Sequence, residues 1–82
     1  MRVWFREYEF NNGKFVPEDE CKVKFNRDGS INLERIIKFG KSYGYLNDNA
    51  DADNYKIDEK DDTYWIGRND EDIYLIKITK EE

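Results

Sequence analysis

TYWIGRNDEDIYLIKIT, residues 63–79, is the stretch whose reading decides the fold. Two runs rich in aromatic and β-branched side chains, 63–67 and 73–79, flank the polar turn formed by Arg68, Asn69, Asp70, Glu71 and Asp72. That pattern predicts a β-hairpin. Ile73, Tyr74, Leu75 and Ile76 are consecutive apolar residues, so the second strand is expected to be central and buried on both faces.

Working back from that hairpin, Tyr55 and Ile57 open another strand, interrupted by the charged run 58–62. The segment NDNADADN, 47–54, reads as a loop, because Asn and Asp side chains bond back to the local backbone. Tyr43 and Tyr45 around Gly44 predict a short strand bent or bulged at the glycine. Residues 31–39 allow two readings. Ile31, Leu33, Ile37 and Phe39 share one parity and favour a strand. A helix capped by Ser30, with Leu33, Ile36 and Ile37 on one face and Gly40 as its stop, is the competitor. The β-branched content and the turn at 26–30 place strand ahead.

Cys21, Val23 and Phe25 alternate with lysines, the pattern of a strand with one wet face. At the N-terminus, Val3 and Phe5 face one way and Trp4, Tyr8 and Phe10 the other. Asn12-Gly13 is a strong hairpin-turn signal, leading into a short return strand at Phe15 and Val16 that Pro17 and the following acids stop. The sum is an all-β chain, a small antiparallel meander of six to seven short strands curled into a barrel or folded sandwich. A single short helix at 30–39 is the alternative. The whole chain, 1–82, is expected to be one domain.

Apolar residues make up 38% of the chain and charged ones 40%, a balance close to that of disordered segments. The five Phe, six Tyr and two Trp argue for a folded core, since each buried ring removes roughly 150–250 Å² from water. Cys21 is the lone cysteine, so no internal disulfide can form, and a reducing, cytoplasmic location is expected. Residues 1–10 lack the pattern of a signal peptide, and no apolar run approaches the ~20 residues that span a bilayer. A soluble, complete gene product is the expectation.

Histidine is absent, which removes the commonest general base, the paired nucleophiles that depend on it, and the usual zinc ligand. The alternation around Cys21 makes it a small buried hydrophobe without a catalytic partner. The scattered glycines form no phosphate-cradling loop. Carboxylate pairs are abundant by chance, but a chain this short rarely builds a substrate cleft. Asn49, Asp51 and Asp53 begin like a calcium loop, yet Asn54 stands where glycine is needed and Lys60 where the bidentate acid belongs. No enzyme, cofactor or metal site is expected.

The net charge of −5 is unevenly divided. Residues 1–46 carry nine basic and seven acidic side chains, whereas 47–82 carry five and twelve, +2 against −7. Asp48, Asp51, Asp53, Asp58, Glu59, Asp61, Asp62, Asp70, Glu71 and Asp72 would form an electronegative face, with Tyr43, Tyr45, Tyr55 and Tyr64 as contact aromatics. The leading expectation is a non-enzymatic protein-binding module. It would occlude the basic, nucleic-acid-binding surface of a larger protein, as inhibitors encoded by phages and mobile elements do. Direct nucleic-acid binding is not favoured by the net charge, and the protein is expected to act as a monomer or homodimer away from membranes.

The alternative is a small barrel that binds single-stranded nucleic acid or a small ligand through Arg2, Trp4, Arg6 and Tyr8, which share one parity of the first strand. A third possibility is an assembly subunit that joins through exposed sheet edges.

Overall fold

A computed structural model describes residues 1–6 and 13–80. Its strands are β1 (Arg2–Arg6), β2 (Phe15–Glu18), β3 (Tyr55–Lys60), β4 (Thr63–Arg68) and β5 (Tyr74–Thr79). They form one antiparallel sheet in the order β2-β1-β5-β4-β3. Helix α1 (Leu33–Ser42) and a 3₁₀ turn (Ala52–Asn54) lie in the long connection from β2 to β3. The chain is therefore mostly sheet, and β5 is the middle strand, as its apolar run predicts.

Strand alternation sorts side chains onto two faces. Val3 and Phe5 pair with Ile78 and Ile76, and Tyr64 and Ile66 pair with the same two residues from the other side. Val3, Phe5, Ile66, Ile76 and Ile78 are fully buried. Against them α1 lays Ile36 and Ile37, and Cys21, Ile31 and Leu46 fill the ends of the layer. Gly40 lets the helix approach: a Cβ there would lie 2.7 Å from Leu46 Cδ1 and 2.9 Å from Phe5 Cε1.

Several expectations need correction. There are five strands, and no pairing of β2 with β3 closes the sheet among the described residues. Residues 33–42 are helical because Ile36, Ile37 and Gly40 bury one stripe, a packing gain that outweighs β-propensity. The cap is Asn32, whose side chain accepts from Arg35 N at 3.3 Å, and not Ser30. The helix continues through Gly40. It ends where Gly44 takes φ +80° and the N–H groups of Tyr45 and Leu46 donate to the Gly40 carbonyl, so 43–46 form no strand.

Of the strand expected at 21–25, only an isolated bridge between Phe25 and Ile31 forms. The turn between them is built as the sequence implies, with Gly29 at φ +89° and Asp28 Oδ1 accepting from Ser30 N and Oγ. β3 does not break at Asp58 but runs to Lys60, leaving Asp61 and Asp62 as the turn. Pro17 lies within β2, which continues to Glu18. Ile73 lies outside β5 and is 48% exposed. Tyr8, Phe10 and Asn12 lie outside the described residues.

Among the described residues, no helix is long and apolar enough to cross a membrane.

Candidate functional site

The sheet face opposite α1 carries side chains of the other parity: Arg2, Trp4 and Arg6 on β1, Phe15 and Pro17 on β2, Lys77 on β5, Trp65 on β4. Pro17, Trp4, Lys77, Trp65 and Asp58 are successive cross-strand partners, a single row across all five strands. A bulge between Ile66 and Gly67 pairs Gly67 with Tyr74 and brings that tyrosine to the same face. Gly67 is required there, since a Cβ would run into the Ile73 carbonyl oxygen.

Lys77 is the centre of this face. Its Nζ lies 4.4 Å from the Trp4 ring centroid, 5.3 Å from Phe15 and 5.8 Å from Trp65. Phe15 and Trp65 start three strand spacings apart, about 14 Å. Their centroids are nonetheless 5.9 Å apart at 74°, so the two rings lean together over Lys77. Each ring face carries the negative lobe of its quadrupole, which draws the ammonium among them.

Cations extend the cluster along β1. The guanidinium of Arg6 lies 5.0 Å from the Phe15 centroid and that of Arg2 lies 5.8 Å from Trp4. Trp4 Nε1 donates to Thr79 Oγ1 at 3.3 Å, which sets the indole plane. Tyr74 donates its O–H to Asp58 Oδ2 at 2.6 Å, and that bond holds the phenol above its ordinary pKa. Lys56 and Lys60 share the parity of Asp58 on β3. The ladder positions of this face therefore hold Arg2, Arg6, Lys56, Lys60 and Lys77 against Asp58, with Arg2 ion-paired to Asp19 at 3.2 Å, a local excess of positive charge on a chain of net charge −5.

The acidic residues fall into separate groups. Asn69 donates from its backbone to Asn54 O and from its side chain to Asp53 O, which ties loop 47–54 to the β4–β5 turn. Asp51, Asp53, Asp70, Glu71 and Asp72 belong to these two segments, with Arg68 3.5 Å from Asp70 and 4.0 Å from Glu71. Asp48 lines a groove with Lys38 and Lys41 of α1. Asp61 and Asp62 occupy the opposite end of the β3–β4 ladder, about 20 Å away. Glu59 is paired with Lys80, and Asp58 sits on the aromatic face.

The tyrosines also divide. Tyr43 and Tyr45 donate to Glu20 and Glu18 of the first half, and Tyr45 stacks on Phe5 at 4.9 Å. Tyr64 lies beneath Lys80, 4.9 Å from its Nζ. Tyr55 opens β3.

Arg2, Trp4 and Arg6 come together as their parity predicts, while Tyr8 lies outside the described residues. Sequence reasoning missed Phe15, Trp65, Tyr74 and Lys77 as their neighbours. The alternation Thr63, Trp65 and Lys77, Thr79 was legible. The pairing of β1 with β5, separated by most of the chain, was not.

Cys21 is buried, and burial together with the Glu18 carboxylate pushes its thiol up to about 11. Among the described residues, no group of three or more acidic, Cys or His side chains is placed to hold a metal ion. No protein-family model, curated protein or solved structure matches this chain.

Proposed function

We propose that this protein is a non-enzymatic binding module whose sheet face opposite α1 takes single-stranded nucleic acid. The observation that supports this most strongly is the row Trp4, Lys77, Trp65 with Phe15, Arg2 and Arg6 around it. Bases stack on aromatic rings whatever their identity, and cations beside the rings track the phosphates. Each stacked base contributes about 1–3 kcal/mol by alanine substitution.

The net charge of −5 does not oppose this locally. At ~0.1 M salt the Debye length is about 10 Å, so a strand on the face senses Arg6 and Lys77 more than the carboxylates of the distant turns, while Arg2 is ion-paired with Asp19 and Asp58 is hydrogen-bonded by Tyr74. The test is tryptophan fluorescence titrated with a single-stranded oligothymidylate at low and high salt. Quenching that weakens steeply with salt is expected, with tenfold or greater losses in Trp4→Ala and Trp65→Ala. No binding at low salt would discard the proposal.

A second reading, occlusion of a basic surface on a larger protein, is favoured by the Asn69 hydrogen bonds that hold the loop carrying Asp51 and Asp53 beside the turn carrying Asp70 and Asp72. Here charge reversal of those four acids would slow association with a basic partner and leave oligonucleotide binding undiminished.

A further inference from the structure

We infer that β3 is a self-association edge: two copies join their sheets antiparallel through residues 56–58, with Ile57 opposite Ile57 of the second copy. This is independent of the nucleic-acid reading.

The hydrogen-bond pattern of the sheet supports it. Asp61 and Asp62, at φ 53° and 59°, form a two-residue type I′ turn, so Lys60 and Thr63 exchange backbone hydrogen bonds. In an antiparallel ladder such pairs alternate, which turns Asp58 and Lys56 toward β4 and aims the N–H and C=O of Ile57 and Glu59 off the sheet. The same alternation carried through β4, β5 and β1 places Pro17 at an outward position of β2, where its missing N–H faces the open edge. One edge is thus short and blocked by proline. The other is free of proline and bulge; the Tyr55 N–H at its start donates to Ala52 O, and beyond it Ile57 is 38% exposed.

Charge then selects the register. Outward-facing residues must pair with outward-facing residues, so the edge can slip only in steps that keep that parity. With Ile57 opposite Ile57, Lys56 faces the second copy's Asp58, and the contact occurs twice by symmetry. These are non-hydrogen-bonded positions, where facing side chains approach most closely. One step in one direction sets Lys56 against Lys56. One step in the other sets Asp58 against Asp58 and Lys56 against Lys60. A further step faces Asp58 with Lys60 but sets Glu59 against Glu59 and runs Ile57 into the turn at Asp61. Lysines on an edge ordinarily repel foreign strands. Here Lys56 meets an acid, Asp58, when the second strand is identical. The two-fold axis runs perpendicular to the sheet, so both aromatic faces lie on the same side of a continuous ten-stranded sheet.

The test is sedimentation velocity with light scattering across micromolar to millimolar concentrations of the full chain. The wild type is expected to dimerise with concentration. Ile57→Pro, whose lost N–H points away from β4, should keep its circular dichroism and be monomeric. Lys56→Asp and Asp58→Lys, each creating two like-charge contacts, should weaken the dimer about tenfold or more, and the double swap should restore it. Ile57→Cys should oxidise to a covalent dimer, Cys21 being buried. A wild type that stays monomeric, a dimer that survives Ile57→Pro, or a double swap that fails to restore association would overturn the inference.

Discussion

Replacing Lys77 by Met separates the charge at the centre of the aromatic face from the alkyl stem that packs there. Met preserves most of the unbranched volume beneath Trp4, Phe15 and Trp65 and removes the ammonium that lies 4.4 Å from the Trp4 centroid. A cation–aromatic contact contributes about 0.5–1 kcal/mol when exposed and ~2 kcal/mol when desolvated. Lys77 is half-buried, so the loss lies between those limits, and relief of ammonium desolvation offsets part of it. A net destabilisation of about 1 kcal/mol is expected, which for a domain this size lowers Tm by roughly 4–8 °C. Binding should change in a separate way. One phosphate-directed charge fewer reduces the slope of log affinity against log salt by about 0.7 for a single strand. Thermal unfolding followed by circular dichroism reads the first effect, and oligonucleotide titration at several salt concentrations reads the second. An unchanged salt slope would refute the electrostatic role of Lys77, and a higher Tm would refute the stabilising cage.

Gly40→Ala tests the helix–sheet approach. Alanine improves helix propensity by about 1 kcal/mol, but overpacking typically costs about 1–3 kcal/mol, and Phe5 is fully buried with little room to yield. A lower denaturant midpoint is expected, and a rise would show that Leu46 gives way freely. Cys21, whose thiol is pushed up to about 11 from an ordinary 9.0, should react with a thiol-directed reagent at pH 8 about a hundredfold more slowly in the native protein than in the unfolded chain. Because the folded pKa is the higher one, unfolding releases a proton between about pH 9 and 11, and stability should fall with rising pH across that window. Equal reaction rates in native and unfolded protein would place the thiol at the surface.

The residues that specify β4, β5 and their hairpin were readable because both kinds of information are local. Alternation at 63–67 sorts Trp65 from Ile66, and the polar run 68–72 can only turn. The same local logic misled at 33–42. Ile36, Ile37 and Phe39 satisfy a strand or a helix equally well until something exists for them to pack on, and the partner is Phe5, 34 positions from Phe39 in the chain. At Gly44 the turn chemistry was visible, but whether it ended a helix or bent a strand depended on that same contact.

The amino-acid order alone determined which side chains share a parity, that the chain turns at 26–30 and 68–72, and that it carries no histidine. Only the tertiary structure decided that β1 lies beside β5, which turns Arg2, Trp4 and Arg6 from one strand's alternation into a surface with Phe15, Trp65 and Lys77. It also decided that Asp53 and Asp70 lie at one end of the β3–β4 ladder and Asp61 and Asp62 at the other, since a hairpin carries residues close in sequence about 20 Å apart. The physical reason is one of range. Backbone preference and side-chain alternation act over a few residues, whereas the burial of Val3 and Phe5 against Ile76 and Ile78 joins segments that no local pattern relates.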